Sequence, residues 1–170
     1  ASVRGMGTEA AARELRYAFL TRCAAEHGYD WIATAHTADD NAETLLLNLA
    51  RGCGLRGLTG IPPQRGRLLR PMLDTTRAQA EAYLTAHAIP HVEDSTNAAD
   101  AYARNRVRRA ALPALQSTNG AAAENLARFC EKAARADAYF ARKAEELLSA
   151  ARLDAAQAAI KSPEACTVWR

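Results

Sequence analysis

A short apolar run, WIATA (31–35), leads directly into His36 and then into a segment carrying Asp39, Asp40 and Glu43, in which Ala42, Leu45, Leu46 and Leu49 recur at helical spacing. A buried strand feeding an amphipathic helix is the repeating unit of a parallel α/β sheet, because a parallel partner strand is reached only through a crossover connection. This junction constrains the fold more than any other stretch. Thr37 and Asp40 stand at capping-box spacing, and acidic residues in a first turn complement the positive end of the helix dipole. Capping explains Asp39, Asp40 and part of Glu43. It does not explain His36, since a histidine gains nothing at a helix start. Ligands of open α/β sheets lie beyond the carboxyl ends of the strands. His36, Asp39, Asp40 and Glu43 are therefore candidate catalytic residues.

The same rhythm extends along the chain. Ala11, Leu15, Ala18, Phe19 and Cys23 predict a helix over about 8–28, with Gly28 as its stop. WIATA reads as a buried strand, and the second helix runs over about 38–50. Gly52, Gly54, Gly57, Gly60, Pro62 and Pro63 mark a long loop. The segment RLLRPML (67–73) is a strand candidate whose Pro71 suits a strand end. Thr76 and Gln79 form a second capping box, opening a helix that runs to Ala86. IPHVED (89–94) is a further strand candidate, followed by a polar turn in which Asp94 and Asn97 either support a site or make an Asx-turn. Strand and helix alternating in this way predict an α/β domain with a parallel sheet over 1–115.

From about residue 112 the pattern changes. Pro113 kinks or starts a helix, QSTNG (116–120) reads as a linker, and a sustained helical period follows over 121–153. Leu126, Phe129, Cys130, Ala133, Phe140, Ala144 and Leu147 share one face. The expectation is a small all-helical second domain over 116–170.

The net charge of +3 is mild, but its placement is informative. Lysine occurs only at Lys132, Lys143 and Lys161, and arginine supplies the rest. Arg51, Arg56, Arg65, Arg67, Arg70 and Arg77 form one concentration; Arg104, Arg106, Arg108 and Arg109 form another. A guanidinium fork matches phosphate in a bidentate fashion, so these clusters point to nucleic acid. No apolar run approaches the roughly 20 residues of a membrane span, and the amino end shows no signal-peptide pattern. Cys23, Cys53, Cys130 and Cys166 form no C-x-x-C pair, which speaks against a zinc knuckle or a disulfide framework. The expected compartment is the cytoplasm.

The stretch AHTADDNAETLLLNLARGCGLRGLTGIP (35–62) resembles the A-H-x-x-D-D-x-x-E-T segment of the PP-loop ATP pyrophosphatases, a nucleotide alpha-hydrolase, Rossmann-like fold. Within that superfamily it is most similar to the lysidine-forming tRNA ligases. AARELRY (11–17), RPML (70–73), EDSTN (93–97) and RNRVRRAALPAL (104–115) agree in the same order. The resemblance implies a two-step reaction that uses ATP and Mg2+. The first anticodon cytidine of an isoleucine tRNA (anticodon CAU) is adenylated at carbon 2, and free L-lysine then displaces AMP. By the same resemblance, Asp40 acts through magnesium or orients the lysine amine, supported by Asp39 and Glu43. His36 bonds a phosphate or the activated base. Arg104, Asn105, Arg106, Arg108 and Arg70 bind the tRNA or the intermediate, with Asp94 and Asn97 beneath them. No protein partner is called for.

The family's Ser-Gly-Gly-x-Asp-Ser phosphate loop has no counterpart before Ala35, so the expectation is an internal segment, inactive alone. Two rivals stand beside this reading. A tRNA thiolating enzyme of the same superfamily would need paired cysteines. An inactive RNA-binding module would use only the arginines, with the acidic segment serving as a cap. A bland role for Arg104 and Arg108 is pairing with Glu93, Asp94 and Asp100.

Overall fold

The computed structural model describes residues 8–91 and 102–161, with side-chain surroundings for 11–91 and 103–152. Asp94, Asn97, residues 92–94 of the candidate strand 89–94 and the tail from Ser162 lie outside the described residues, and residues 89–91 are irregular rather than strand.

Helix α1 (Thr8–Glu26) precedes strand β1 (Ile32–Ala33), and α2 (Ala38–Ala50) follows it. Both elements of the predicted junction are present, and α2 spans the expected residues. The strand is shorter than the apolar run and is not buried: Trp31 is 53% exposed. Among the described residues β1 pairs with β3 (Leu68–Leu69) alone, in parallel, and alternate residues of WIATA are exposed, as the strand pleat dictates. A strand missed in the glycine-bearing loop, β2 (Gln64–Arg65), forms an antiparallel hairpin with β3. Gly66 takes the turn at φ 58°. The sheet is therefore mixed rather than wholly parallel, in the order β1-β3-β2. The Arg67 side chain fastens its edge by donating to the carbonyl oxygens of Asp30 (2.7 Å) and Tyr29.

Helix α3 (Leu55–Leu58) lies between α2 and β2, and α4 (Arg77–Ala86) follows β3. The capping boxes expected at Thr37–Asp40 and Thr76–Gln79 are both formed. Beyond the undescribed segment come α5 (Tyr102–Arg106), a π-helical turn (Val107–Ala111) and α6 (Leu112–Thr118). Pro113 accounts for the π turn. It has no N–H to give the carbonyl of Arg109, and its ring crowds that turn, so the Leu112 N–H reaches back five residues to Val107 instead.

Helix α7 (Ala122–Lys161) is one element of 40 residues, longer than expected. Its first half packs against α2, α3 and α6. Small residues make the approach close: Ala38, Ala42 and Ala123 are fully buried, with Leu45, Leu112, Ala122, Cys130 and Ala133 around them. Leu49 of α2, expected in the core, is half exposed, because the packed stripe ends at Leu45. Phe140 and Leu147 of the predicted α7 face are 60% and 71% exposed, as that half of the helix runs past α2.

Candidate active site

The site is built on the flank of α2 that faces α5 and the π turn. Asp40 serves the helix start first: its Oδ2 accepts from the Thr37 N–H (2.9 Å) and hydroxyl (3.1 Å), while the Asp40 N–H donates to Thr37 Oγ1 (3.4 Å). Its other oxygen faces away from the cap, toward Arg104 Nη2 at 3.4 Å and Arg108 Nη2 at 3.5 Å. One turn on, Glu43 is only 1% exposed. Arg108 grips it with a two-pronged contact, Nε to Oε1 at 2.6 Å and Nη2 to Oε2 at 3.1 Å. Arg104 Nε donates to Oε2 at 2.9 Å. Two carboxylates and two guanidinium groups thus form one half-buried network joining α2 to α5 and the π turn. For a carboxylate as buried as Glu43, such partners offset the loss of water.

Arg104 and Arg108 lie four residues apart and share a side, while Arg106 and Arg109 point to solvent, as their helical spacing predicts. Asn105 is half-buried between them. Among the described residues, Arg104 and Arg108 pair with Asp40 and Glu43; Glu93, Asp94 and Asp100 are outside the described residues. Asp39 stands apart from this network. Its Oδ2 accepts from the Arg77 N–H at 2.7 Å and ties α2 to the first turn of α4.

His36 is half-buried, and its Nδ1 shares a 2.9 Å hydrogen bond with Thr34 Oγ1. Burial lowers its pKa below 6.5; Asp40 opposes that shift, and the cationic Arg70, Arg13 and Arg104 reinforce it. At neutral pH the ring is uncharged and acts as a hydrogen-bonding group, not a cation. It lines a cleft of about 380 Å3 together with Arg13, Arg51, Arg65, Arg70 and Arg104. Arg70 is 5% exposed. Its Nη1 donates to the Pro62 carbonyl at 2.6 Å, and its buried Nε has no partner.

The described residues do not fit a resident magnesium ion. Every carboxylate oxygen of Asp40 and Glu43 already accepts hydrogen bonds, and no group of three His, Cys, Asp or Glu gathers as metal ligands among the described residues. The candidates from the sequence therefore divide. His36, Asp40, Glu43, Arg70, Arg104 and Arg108 come together; Asp39 does not. Glu43, expected in a supporting role, is the centre of the network; Arg51 and Arg65, expected within the first arginine concentration, stand at the cleft's rim beside Arg13, which the sequence does not mark as a candidate. The signal for Arg51 was present: Thr44, Asn48 and Arg51 recur along one face of α2.

Residues 1–115 match the PP-loop domain family. Among similar proteins are three tRNA(Ile)-lysidine synthases. That of Parabacteroides distasonis is 41% identical over 140 residues, 82% of this chain and 32% of the relative. That of Thermus thermophilus is 45% identical over 148 residues, 87% of this chain and 29% of the relative. That of Ralstonia nicotianae is 52% identical over 107 residues, 61% of this chain and 23% of the relative. The chain thus spans less than half the length of the curated relatives it matches, from 23% to 44%.

Proposed function

The chain belongs to the PP-loop domain family, and from that premise we propose that it serves a ligase that forms lysidine on isoleucine tRNA. In the first step the O2 of the anticodon cytidine attacks the α-phosphorus of ATP and pyrophosphate leaves. In the second, the side-chain amine of free lysine attacks carbon 2, AMP leaves with the oxygen, and the amine gives up a proton. The observation carrying this reading is that Arg104, held by Glu43 and Asp40, lines the same cleft as neutral His36 and buried Arg70.

Fixed positive groups there would stabilise charge developing on the phosphate and on the departing AMP. His36 would hydrogen-bond the phosphate or the activated base. Asp40 would hold Arg104 and direct the incoming amine. Arg108 would brace Glu43, with Asn105 and Arg106 toward the tRNA. Asp94 and Asn97 would support the turn beneath. Magnesium would neutralise the triphosphate when ATP binds; Asp40 is a poor resident ligand, because both of its oxygens are engaged. The division into a catalytic part over 1–115 and a helical tRNA-binding part over 116–170 belongs to the same proposal, as does a cytoplasmic location. No described helix is long and apolar enough to cross a membrane.

The test is an assay of protein carrying this chain with the isoleucine tRNA, ATP and labelled lysine. Label is expected in the tRNA, with one AMP and one pyrophosphate formed per lysine transferred. ATP turnover with sulfur entering the tRNA instead would favour the thiolating relatives and discard the lysidine reading.

A further inference from the structure

The arginines of this chain fall into two electrostatic classes. Arg104 and Arg108 each face both Asp40 and Glu43. Arg13, Arg51, Arg65 and Arg70 have no carboxylate within salt-bridge distance among the described residues, yet all four line one cleft. Arg70 lies at its base, 5% exposed, with an Nε–H that is buried and unbonded. The positive charge beneath the cleft is held in place by the fold, with Arg70 Nη1 donating to the Pro62 carbonyl oxygen at 2.6 Å. Arg13, Arg51 and Arg65 stand exposed at its rim, each on a different element. Leu47, Ile61 and Pro62 give the walls an apolar component.

We propose that this cleft is a subsite for the sugar–phosphate backbone of single-stranded RNA, with Arg51 and Arg65 each taking a phosphate at the rim above Arg70. The proposal rests on the tRNA reading above and deepens it. A triphosphate is ordinarily cradled by successive backbone N–H groups at a glycine-rich loop or a helix amino end. Here the wall is the carboxyl-terminal half of α2 (Thr44, Leu47, Asn48 and Arg51), the negative end of its dipole. Recognition must therefore come from side-chain guanidinium groups, which is how proteins position nucleic-acid backbones. The apolar walls suit a sugar or a base face. The bland reading of Arg51 is a solvated helix end that complements the dipole.

The experiment titrates isoleucine tRNA and, separately, ATP against protein carrying the chain, across a salt series. It compares the wild type, the double variant Arg51→Ala/Arg65→Ala, and Arg22→Ala as a charge-loss control on α1, where Arg22 lies over the Phe19 ring and 3.7 Å from Glu26. Thermal melting confirms that each variant is folded. Each lost phosphate contact should lower the slope of log affinity against log salt by about 0.7. The double variant should thus bind tRNA roughly tenfold more weakly at physiological salt, with ATP affinity and the Arg22→Ala control unchanged. Wild-type tRNA binding with an unchanged slope in the double variant overturns the subsite and leaves the function standing. Weakened ATP binding with intact tRNA binding makes the cleft a triphosphate site and overturns the RNA assignment. A wild type that binds no tRNA overturns the functional reading and this one with it.

Discussion

Glu43 shows how one side chain acquires its meaning from tertiary contacts. In the sequence it is an acidic residue near a helix start; in the fold it is a buried carboxylate held by Arg104 and Arg108, 61 and 65 residues away. No local pattern announces a partner at that distance. The Thr37–Asp40 box was legible because it closes within one turn, and the arginine spacing because it follows helical geometry. Removing the charge of Glu43 leaves two guanidinium groups facing a neutral amide. Glu43→Gln should cost on the order of 3 kcal/mol in chemical denaturation, and a loss below about 1 kcal/mol would show that the network is not a structural anchor. His36 supplies a pH dependence. Burial holds its folded-state pKa below 6.5, so the unfolded chain takes up the proton first. Its contribution is fully present above 6.5 and is lost as pH falls from 6.5 through the folded value. Relative to His36→Gln, the wild type should lose melting temperature on acidification below 6.5; parallel curves for the two proteins would contradict this.

At the level of elements, helices were easier to read than strands. Helical spacing and two capping boxes located α2 and α4, whereas strands of two residues carry too little pattern to register. β2 therefore leaves no strand signal within the loop, and the apolar run WIATA predicts a burial that its two-residue strand does not have. The glycine-bearing loop owes its course to α2. Asn41 Oδ1 accepts from the Ile61 N–H at 2.7 Å, and Gly60 sits beside it at φ +64°. A Cβ at Gly60 would lie 2.1 Å from Asn41 Oδ1 and 2.7 Å from Cys130 Sγ. Gly60→Ala should therefore cost more than the roughly 1–2 kcal/mol of the left-handed backbone alone, measured by urea unfolding; a neutral substitution would mean the loop has other ways to pass. Packing of α7 over this loop buries Cys130 and pushes its thiol up to about 11. Iodoacetamide at mildly alkaline pH should label Cys53 in the native protein and Cys130 only after unfolding. Rapid native labelling at Cys130 would show that α7 does not stay seated on α2 and α3.

For the whole molecule, the strand-to-helix junction at 31–50 is where fold and chemistry meet. The cap fixes the start of α2, the same Asp40 faces the arginine network, and that network delivers Arg104 to the cleft beside His36. The family was legible because its motifs are contiguous and ordered. The cleft was not, because its arginines come from α1, α2, β2 and α5 and converge only in three dimensions. If the junction is only a cap, its chemistry is dispensable; if it is a site, stability and turnover separate. The deciding measurement is single-turnover lysidine formation by Asp40→Asn beside its unfolding free energy. Transfer should be nearly abolished while stability falls by no more than the 0.5–2 kcal/mol typical of a lost cap. A variant that loses that much stability and still transfers lysine at the wild-type rate would contradict the assignment.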